Sequence, residues 1–462
     1  TLSRQIEEIK PLNPPKVTIY TCGPTVYDYA HVGHWFTYVR MDTLVRTLRA
    51  SGFKTEWVMN ITDVGHLVSD ADEGEDKLQD KARSEGRTAW QIAESYTDDF
   101  MEGMRQLHML KPYRMPKATA HIPEQIALIR KLEQKGFTYV IDDGVYYDTG
   151  KFPHYADFAR LDLDEQQPGA RVYHNPQKRH ASDFALWKFS PKDAKRDMEW
   201  DSPWGKGFPG WHIECSAMSM KYLGETLDIH TGGIDHVPVH HSNEIAQSEA
   251  VTGKRFANYW MHSNHVTVNG EKISKSQGNG IRLQDITAKG ITPEALRLHM
   301  LESHYRSQSR FSWDSLEAAQ NRLRDLRAMA ALRWQAPEVT HDASTFALLE
   351  VPLQLTKVLA TDLDTPQALA YLSDISTQLQ VVLVERNMVD HFEAMLQGID
   401  DLLGLDLLAE GDITDGQKRL LAERSKARDA KDWARADTAR DKLLEQRITV
   451  RDTAHGPIWS RL

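Results

Sequence analysis

The sequence predicts an α/β fold, a parallel sheet crossed by helices, followed by helical segments and a small tail of mixed helix and strand. Three observations carry this. A β-branched run, a turn, a helical pattern and a second β-branched run follow one another near the start. Strand-like runs return after residue 226, and helical periodicity dominates after about residue 293. Strand, helix and strand joined by short connections is the signature of a parallel crossover unit.

The first strand is expected at Val17-Thr18-Ile19-Tyr20-Thr21, stopped by Cys22-Gly23-Pro24-Thr25. The pattern predicts a helix from about His31 to Ala50, ended at Ser51-Gly52, and then a strand over Thr55–Met59. The acidic stretch 70–76 is not a calcium loop. Its glycine falls one place early, and the twelfth position is Lys81 rather than a bidentate Glu. Between about 120 and 200 periodicity weakens and Gly, Pro and charge rise, which predicts an insertion in the α/β domain. Sheet character returns at Leu227–His230 and His265–Gly270. Leu316, Leu323, Leu326 and Ala330 then mark one face of a helix running to Trp334, and a second helical block covers roughly 343–407. Residues 417–447 are helical and charge-rich, and Ile448–Arg451 and Pro457–Trp459 are two short strands.

A chain of 462 residues is too long for one ordinary core. No apolar run approaches the roughly 20 residues that cross a bilayer, and the first eight residues lack the apolar core of a signal peptide, so the cytoplasm is expected. The net charge of −10 argues against indiscriminate coating of nucleic acid. Residues 417–462 nevertheless hold 12 Lys and Arg against 7 Asp and Glu. A basic tail on an acidic body suits a polyanionic partner touched at chosen places. The two cysteines, Cys22 and Cys215, taken alone, are better explained by buried inert thiols than by a metal.

His31-Val32-Gly33-His34 sits where a helix begins after the first strand. A helix N-terminus offers backbone N–H groups and a positive dipole end to an anion. Lys272-Ile273-Ser274-Lys275-Ser276 would make a cationic loop able to neutralise charge on a triphosphate. Singly, each also fits an ordinary surface segment. Together, in this order, they resemble the His-Ile-Gly-His and Lys-Met-Ser-Lys-Ser signatures of class I aminoacyl-tRNA synthetases, with Val32 for Ile and Ile273 for Met. There is no Gly-x-x-x-x-Gly-Lys loop.

Cys22, Cys215 in Pro209–Met218, and His240-His241-Ser242-Asn243-Glu244 then resemble the cysteinyl-tRNA synthetase family, which uses Cys, Cys, His and Glu at such places. Ser242 stands where the family's His-His-Glu-Asn-Glu run has Glu. Asn60–Asp63, Asp228–Asp235, Asn258–His262 and Ala430–Trp433 also look like family segments, so the similarity runs nearly end to end, with an N-terminus that looks trimmed before Thr1.

The resemblance implies a Rossmann-like parallel-sheet catalytic domain with an inserted connective domain, then an α-helical bundle and a small C-terminal α+β anticodon-binding module. The expected divisions are 1–118 and 201–292 for the two catalytic halves, 119–200 for the insertion, 293–408 for the stem-contact region and bundle, and 409–462 for the tail module. It implies one Zn²⁺ on Cys22, Cys215, His240 and Glu244, with His241 and His236 as alternative ligands, and with the substrate sulfur as a fifth. It places His31, His34, Lys272 and Lys275 on ATP as the catalytic groups, with Gly232, Gly233 and Asp235 at the adenosine. Trp211 would wall the side-chain pocket, and Thr25 and Thr62 would contact the cysteine substrate. Arg428, Lys431 and Trp433 would meet the tRNA, although Trp433 packed inward on its helix is an equal alternative. The implied partners are L-cysteine, ATP with Mg²⁺, and tRNA(Cys), the implied state is a monomer, and no membrane is involved. Two rivals stay open: a mycothiol-pathway ligase joining cysteine to an amino sugar, a class that usually lacks the C-terminal module, and a non-catalytic tRNA- or zinc-binding relative.

Overall fold

A computed structural model describes residues 3, 5–65, 76–160, 175–191, 196–273, 278–336, 348–382, 384–454 and 456–462. The acidic stretch 70–75 and Lys275 lie outside these.

Four parallel strands form the central sheet in the order Lys54–Met59, Lys16–Thr21, Leu227–Gly233, Ala257–Ser263. The first strand in sequence lies in the middle, with the second on one side and the third on the other. Successive connections therefore leave it in opposite directions, and a crevice opens at its C-terminal end. Cys22 is the next residue, and its N–H is tied to Thr231 O across the sheet at 3.1 Å.

The helix Val32–Ala50 crosses behind this sheet and ends where Gly52 takes φ 91°, a conformation open to glycine at no steric cost. Its second half carries a buried ionic knot. Arg297 meets Asp42 at 2.5 Å and donates to Leu107 O and Leu403 O, while Arg46 meets Asp42 at 2.7 Å and donates to Asp400 O and Asp401 O. The helix Val32–Ala50 is thus joined to the end of the bundle helix Val389–Leu403.

The insertion is a four-stranded antiparallel sheet, Thr138–Ile141, Gly144–Tyr147, Phe184–Phe189 and Gly207–Pro209, backed by the helix Ile122–Gln134. Its last strand lies past residue 200. The helical part comprises Trp313–Ala330, Glu350–Ala360, Thr365–Val382 and Val389–Leu403, and the stripe Leu316, Leu323, Leu326 and Ala330 is buried as its spacing predicts. The short strand Ser309–Phe311, parallel to Val266–Val268, has no counterpart in the sequence reading. The tail has two helices, Asp415–Asp429 and Trp433–Glu445, rather than one, and ends in an antiparallel hairpin of Ile448–Thr453 and Gly456–Arg461. Among the described residues no helix is long and apolar enough to cross a membrane.

Candidate active site

A cleft of about 740 Å³ opens at the sheet's C-terminal edge. Cys22, Thr25, Thr62, Trp211 and Cys215 line it together with His31 and His34. The floor is held by backbone. Thr25 and Thr62 form a parallel bridge, and the Gly23 N–H donates to Asn60 Oδ1 at 2.8 Å. A Cβ on Gly23 would fall 1.7 Å from Asn60 O, so only glycine fits there.

Two helices bring together a cluster of thiols, imidazoles and a carboxylate with the spacing to hold a metal ion. Cys215 lies one turn into Trp211–Leu223 and is 1% exposed, and Glu244 opens Ser242–Thr252 and is fully buried. The turn before Glu244, Val237–His241, is a π-turn, wider than an α-turn. Its extra residue aims both neighbouring histidines at one carboxylate: His240 Nε2 and His241 Nε2 lie 3.5 and 3.8 Å from Glu244 Oε2. Cys22 Sγ stands 4.0 Å from Cys215 Sγ, 3.8 Å from Glu244 Oε2 and 3.4 Å from His241 Nε2. Two overlapping sets of four can hold a metal ion, each with ligand atoms within 4.8 Å of one another. Cys22 and Glu244 belong to both, completed by Cys215 and His240 or by His230 and His241.

The electrostatics fit a cation. Burial pushes both thiols up, that of Cys22 strongly with Cys215 and Glu244 adding to it, while the hydrogen bond with Cys22 partly offsets the rise at Cys215. Burial and the histidines around it hold His241 well below the usual imidazole range, hence neutral. An outer layer orients the rings. His240 Nδ1 and His212 Nδ1 are 3.0 Å apart, His241 Nδ1 and His262 Nε2 2.7 Å, and His230 Nε2 meets Glu244 Oε1 at 3.1 Å.

The His-Val-Gly-His segment corrects the expectation of free backbone N–H groups. His31 is the N-cap of its helix, and its Nδ1 accepts the Gly33 N–H at 3.2 Å, while His34 Nδ1 accepts the His31 N–H at 3.1 Å. The Val32 N–H donates to Ile281 O at 2.8 Å. The backbone donors are therefore taken by the capping box and a neighbouring loop, and the rings are left as the donors. A neutral imidazole accepting at Nδ1 carries its proton at Nε2, so both rings, stacked 3.8 Å apart, present Nε2–H. Gly33 is small for a local reason. A Cβ there would lie 3.0 Å from His31 Cε1 and 3.1 Å from Ile273 Cδ1, where Ile273 packs on the histidine motif.

The remaining candidates sit as follows. Trp211 covers the cluster, its ring 4.6 Å from that of His240. The Thr62 hydroxyl donates to Glu214 Oε2 at 3.0 Å. Asp235 is on the exposed rim. Gly232 is buried, and a Cβ there would meet His236 Nδ1 at 2.8 Å and His241 Cε1 at 2.9 Å, so it makes room for the histidines; Gly233 follows it at the strand's end. Lys272 is exposed on the short strand Glu271–Lys272.

In the tail, Trp433 is 56% exposed and does not pack inward. Arg428 lies 5.7 Å from its ring and 3.3 Å from Asp452, and Lys431 sits at the turn between the two helices with φ 60°. Arg424 is instead structural, paired with Asp452 through two contacts of 2.7 Å. The sequence reading missed Arg282, Lys77 and Lys188 in the cleft wall, since none belongs to a recognisable motif. It also missed Glu214, although it adjoins Cys215.

A family model described as "tRNA synthetases class I (C) catalytic domain" matches residues 8–321, and "Cysteinyl-tRNA ligase anticodon binding domain" matches residues 410–459. The chain is 46% identical to cysteine–tRNA ligase 1 of Burkholderia lata over 462 residues, covering 99% of this chain and 95% of that one. It is 41% identical to cysteine–tRNA ligase of Thermus thermophilus, covering 99% and 98%. Mycobacterium tuberculosis methionyl-tRNA synthetase, solved with methionyl-adenylate, shares the fold at a TM-score of 0.56 and 14% identity, covering 84% of this chain and 88% of that one.

Proposed function

Because the chain belongs to the cysteine–tRNA ligase family of class I synthetases, we propose that its buried cluster holds a zinc ion that selects cysteine for attachment to tRNA. The observation that carries this is the convergence of Cys22, Cys215, His240 and the fully buried Glu244, the first three lining the cleft that His31 and His34 also line. Two sulfurs about 2.3 Å from a tetrahedral zinc stand about 3.8 Å apart, and sulfur–oxygen and nitrogen–oxygen pairs about 3.6 and 3.4 Å apart. The corresponding distances here are 4.0, 3.8 and 3.5 Å. Cys215 and His240 are preferred to His230 and His241 because they bring the second thiol, and because His230 Nε2 is engaged with Glu244 Oε1.

Zinc bound there supplies a soft Lewis acid that favours a thiolate over a hydroxyl, a distinction that size and hydrogen bonding make poorly between cysteine and serine. Trp211 and the Thr62 hydroxyl bound the same pocket and hold the amino acid with its carboxylate toward His31. That carboxylate attacks the α-phosphorus of ATP, the bond to the bridging oxygen breaks, and pyrophosphate leaves. His31 and His34 donate Nε2–H bonds to phosphate oxygens, and Lys272 and Lys275 balance the charge that gathers as pyrophosphate departs. Asp235 on the rim accepts from ribose hydroxyls. A ribose hydroxyl of the tRNA's terminal adenosine then attacks the acyl carbon, and AMP leaves.

The match of residues 410–459 to an anticodon-binding domain favours tRNA over an amino sugar as acceptor. The test is cysteine-dependent exchange of pyrophosphate into ATP, with metal content measured on the same sample. A non-catalytic relative would give no exchange, and an amino-sugar ligase would exchange but leave tRNA uncharged.

A further inference from the structure

Away from the catalytic cleft, a second cavity of about 300 Å³ opens where the helix Trp313–Ala330 meets the C-terminal hairpin. Four arginines line it, Arg324, Arg327, Arg447 and Arg461, against Glu410 as the single acidic side chain of the lining. Arg447 and Arg461 come from the basic tail, and Arg324 and Arg327 from the otherwise acidic body.

The four cations divide into two roles. Arg327 lies between Glu294 at 3.5 Å and Glu410 at 3.8 Å. Arg461 meets Glu410 at 3.4 Å and donates to Gly411 O and Asp412 O at 3.1 and 3.0 Å. Arg327 joins the body to the tail module, Arg461 ties the hairpin to the start of that module, and together they use up the one carboxylate. Arg324 and Arg447 are exposed at the cavity, and among the described residues neither is in an ion pair. Arg324 donates to Asn321 Oδ1 at 2.8 Å, and Arg447 to Leu462 O at 3.5 Å. Thr292 and Gln320 add polar groups to the wall. Uncompensated guanidinium groups over a polar hollow suit a phosphate oxygen, which they bind in forked pairs.

The position selects the phosphate's source. Gly290 and Thr292 follow Arg282, which lines the catalytic cleft, after the single short helix Leu283–Thr287. Arg447 joins the helix that begins at Trp433 to the terminal hairpin. The hollow therefore lies between the two places that one tRNA has to reach. We propose that Arg324 and Arg447 bind the sugar-phosphate backbone of tRNA midway between its acceptor end and its anticodon. This rests on the ligase reading above.

The experiment is tRNA(Cys) binding to the full chain as a function of NaCl, with pyrophosphate exchange, which needs no tRNA, as the control for folding. Replacing both residues, Arg324→Ala with Arg447→Ala, is expected to raise the tRNA Kd about ten-fold at low salt. It should also flatten the slope of log K against log salt by about two, one per lost phosphate contact. The Arg324→Lys, Arg447→Lys pair keeps the charge and should recover most of the affinity and slope. Wild-type Kd and slope in the alanine pair overturn the proposal, as does a lysine pair no better than the alanine pair. So does unchanged tRNA binding with loss only of inorganic phosphate binding, which would mark a site for the free ion. Absence of cysteine-dependent exchange in the unaltered protein would instead defeat the ligase reading itself.

Discussion

His34 Nδ1 accepts the backbone N–H of His31 at 3.1 Å, so the second histidine of the motif holds the first while its own ring lines the cleft. His34→Ala removes both the cap and a donor. It is expected to slow cysteinyl-adenylate formation by about two to three powers of ten, the scale for one preorganised charge-stabilising group. Metal content should not change. Single-turnover adenylate formation beside metal analysis checks this, and a variant that loses its metal would show that the two parts of the site are not separable.

The metal ligands divide by the same logic. Cys215→Ser and His240→Ala should each strip the ion and abolish cysteine activation, because each breaks a set of four whose contacts are 3.5–4.0 Å. His241→Ala should retain metal, its ring being held by His262 at 2.7 Å. Should His241→Ala lose the ion and His240→Ala keep it, the set built on His230 and His241 is the true one.

The buried knot of Asp42, Arg46 and Arg297 makes a stability prediction. Burial pushes the Asp42 carboxyl up, but Arg297, Arg46 and the Leu110 N–H outweigh it and leave it below the usual carboxylate range. A depressed folded value means that this group's stabilisation is complete above about pH 4, the unfolded value, and is lost as pH falls through the lower folded one. Asp42→Asn should cost about 3–5 kcal/mol at neutral pH by leaving buried guanidinium groups without their carboxylate. In denaturant titrations from pH 7 to pH 3, the variant should lack part of the acid-induced loss seen in the unaltered protein.

Trp433, 56% exposed at the start of its helix, bears little of the tail's packing. Trp433→Ala should leave the melting temperature and pyrophosphate exchange near their starting values and reduce tRNA charging. An equal loss in exchange would place the tail's function elsewhere.

Much of this site could be read from the chain because its chemistry sits in unusual residues. Only two cysteines exist, and both line the cleft. The strand before Cys22 and the helix after His31 follow from a β-branched run and a regular apolar stripe. What escaped was set by three-dimensional context. A π-turn that swings both His240 and His241 onto Glu244 has no signature in local composition. The capping box reversed the expected role of the helix N-terminus, because a histidine can accept where Ser or Asp usually does. Arg282 and Lys188 reach the cleft from distant elements, and the four-arginine hollow unites residues 324 and 461, which no periodicity connects.

The most direct measurement of the central claim is pyrophosphate exchange with cysteine and with serine, run in parallel before and after the metal is removed. The account predicts strong preference for cysteine in the metal-loaded protein, loss of cysteine activation on stripping, and recovery with added zinc. A metal-free protein that activates cysteine and still rejects serine would contradict it.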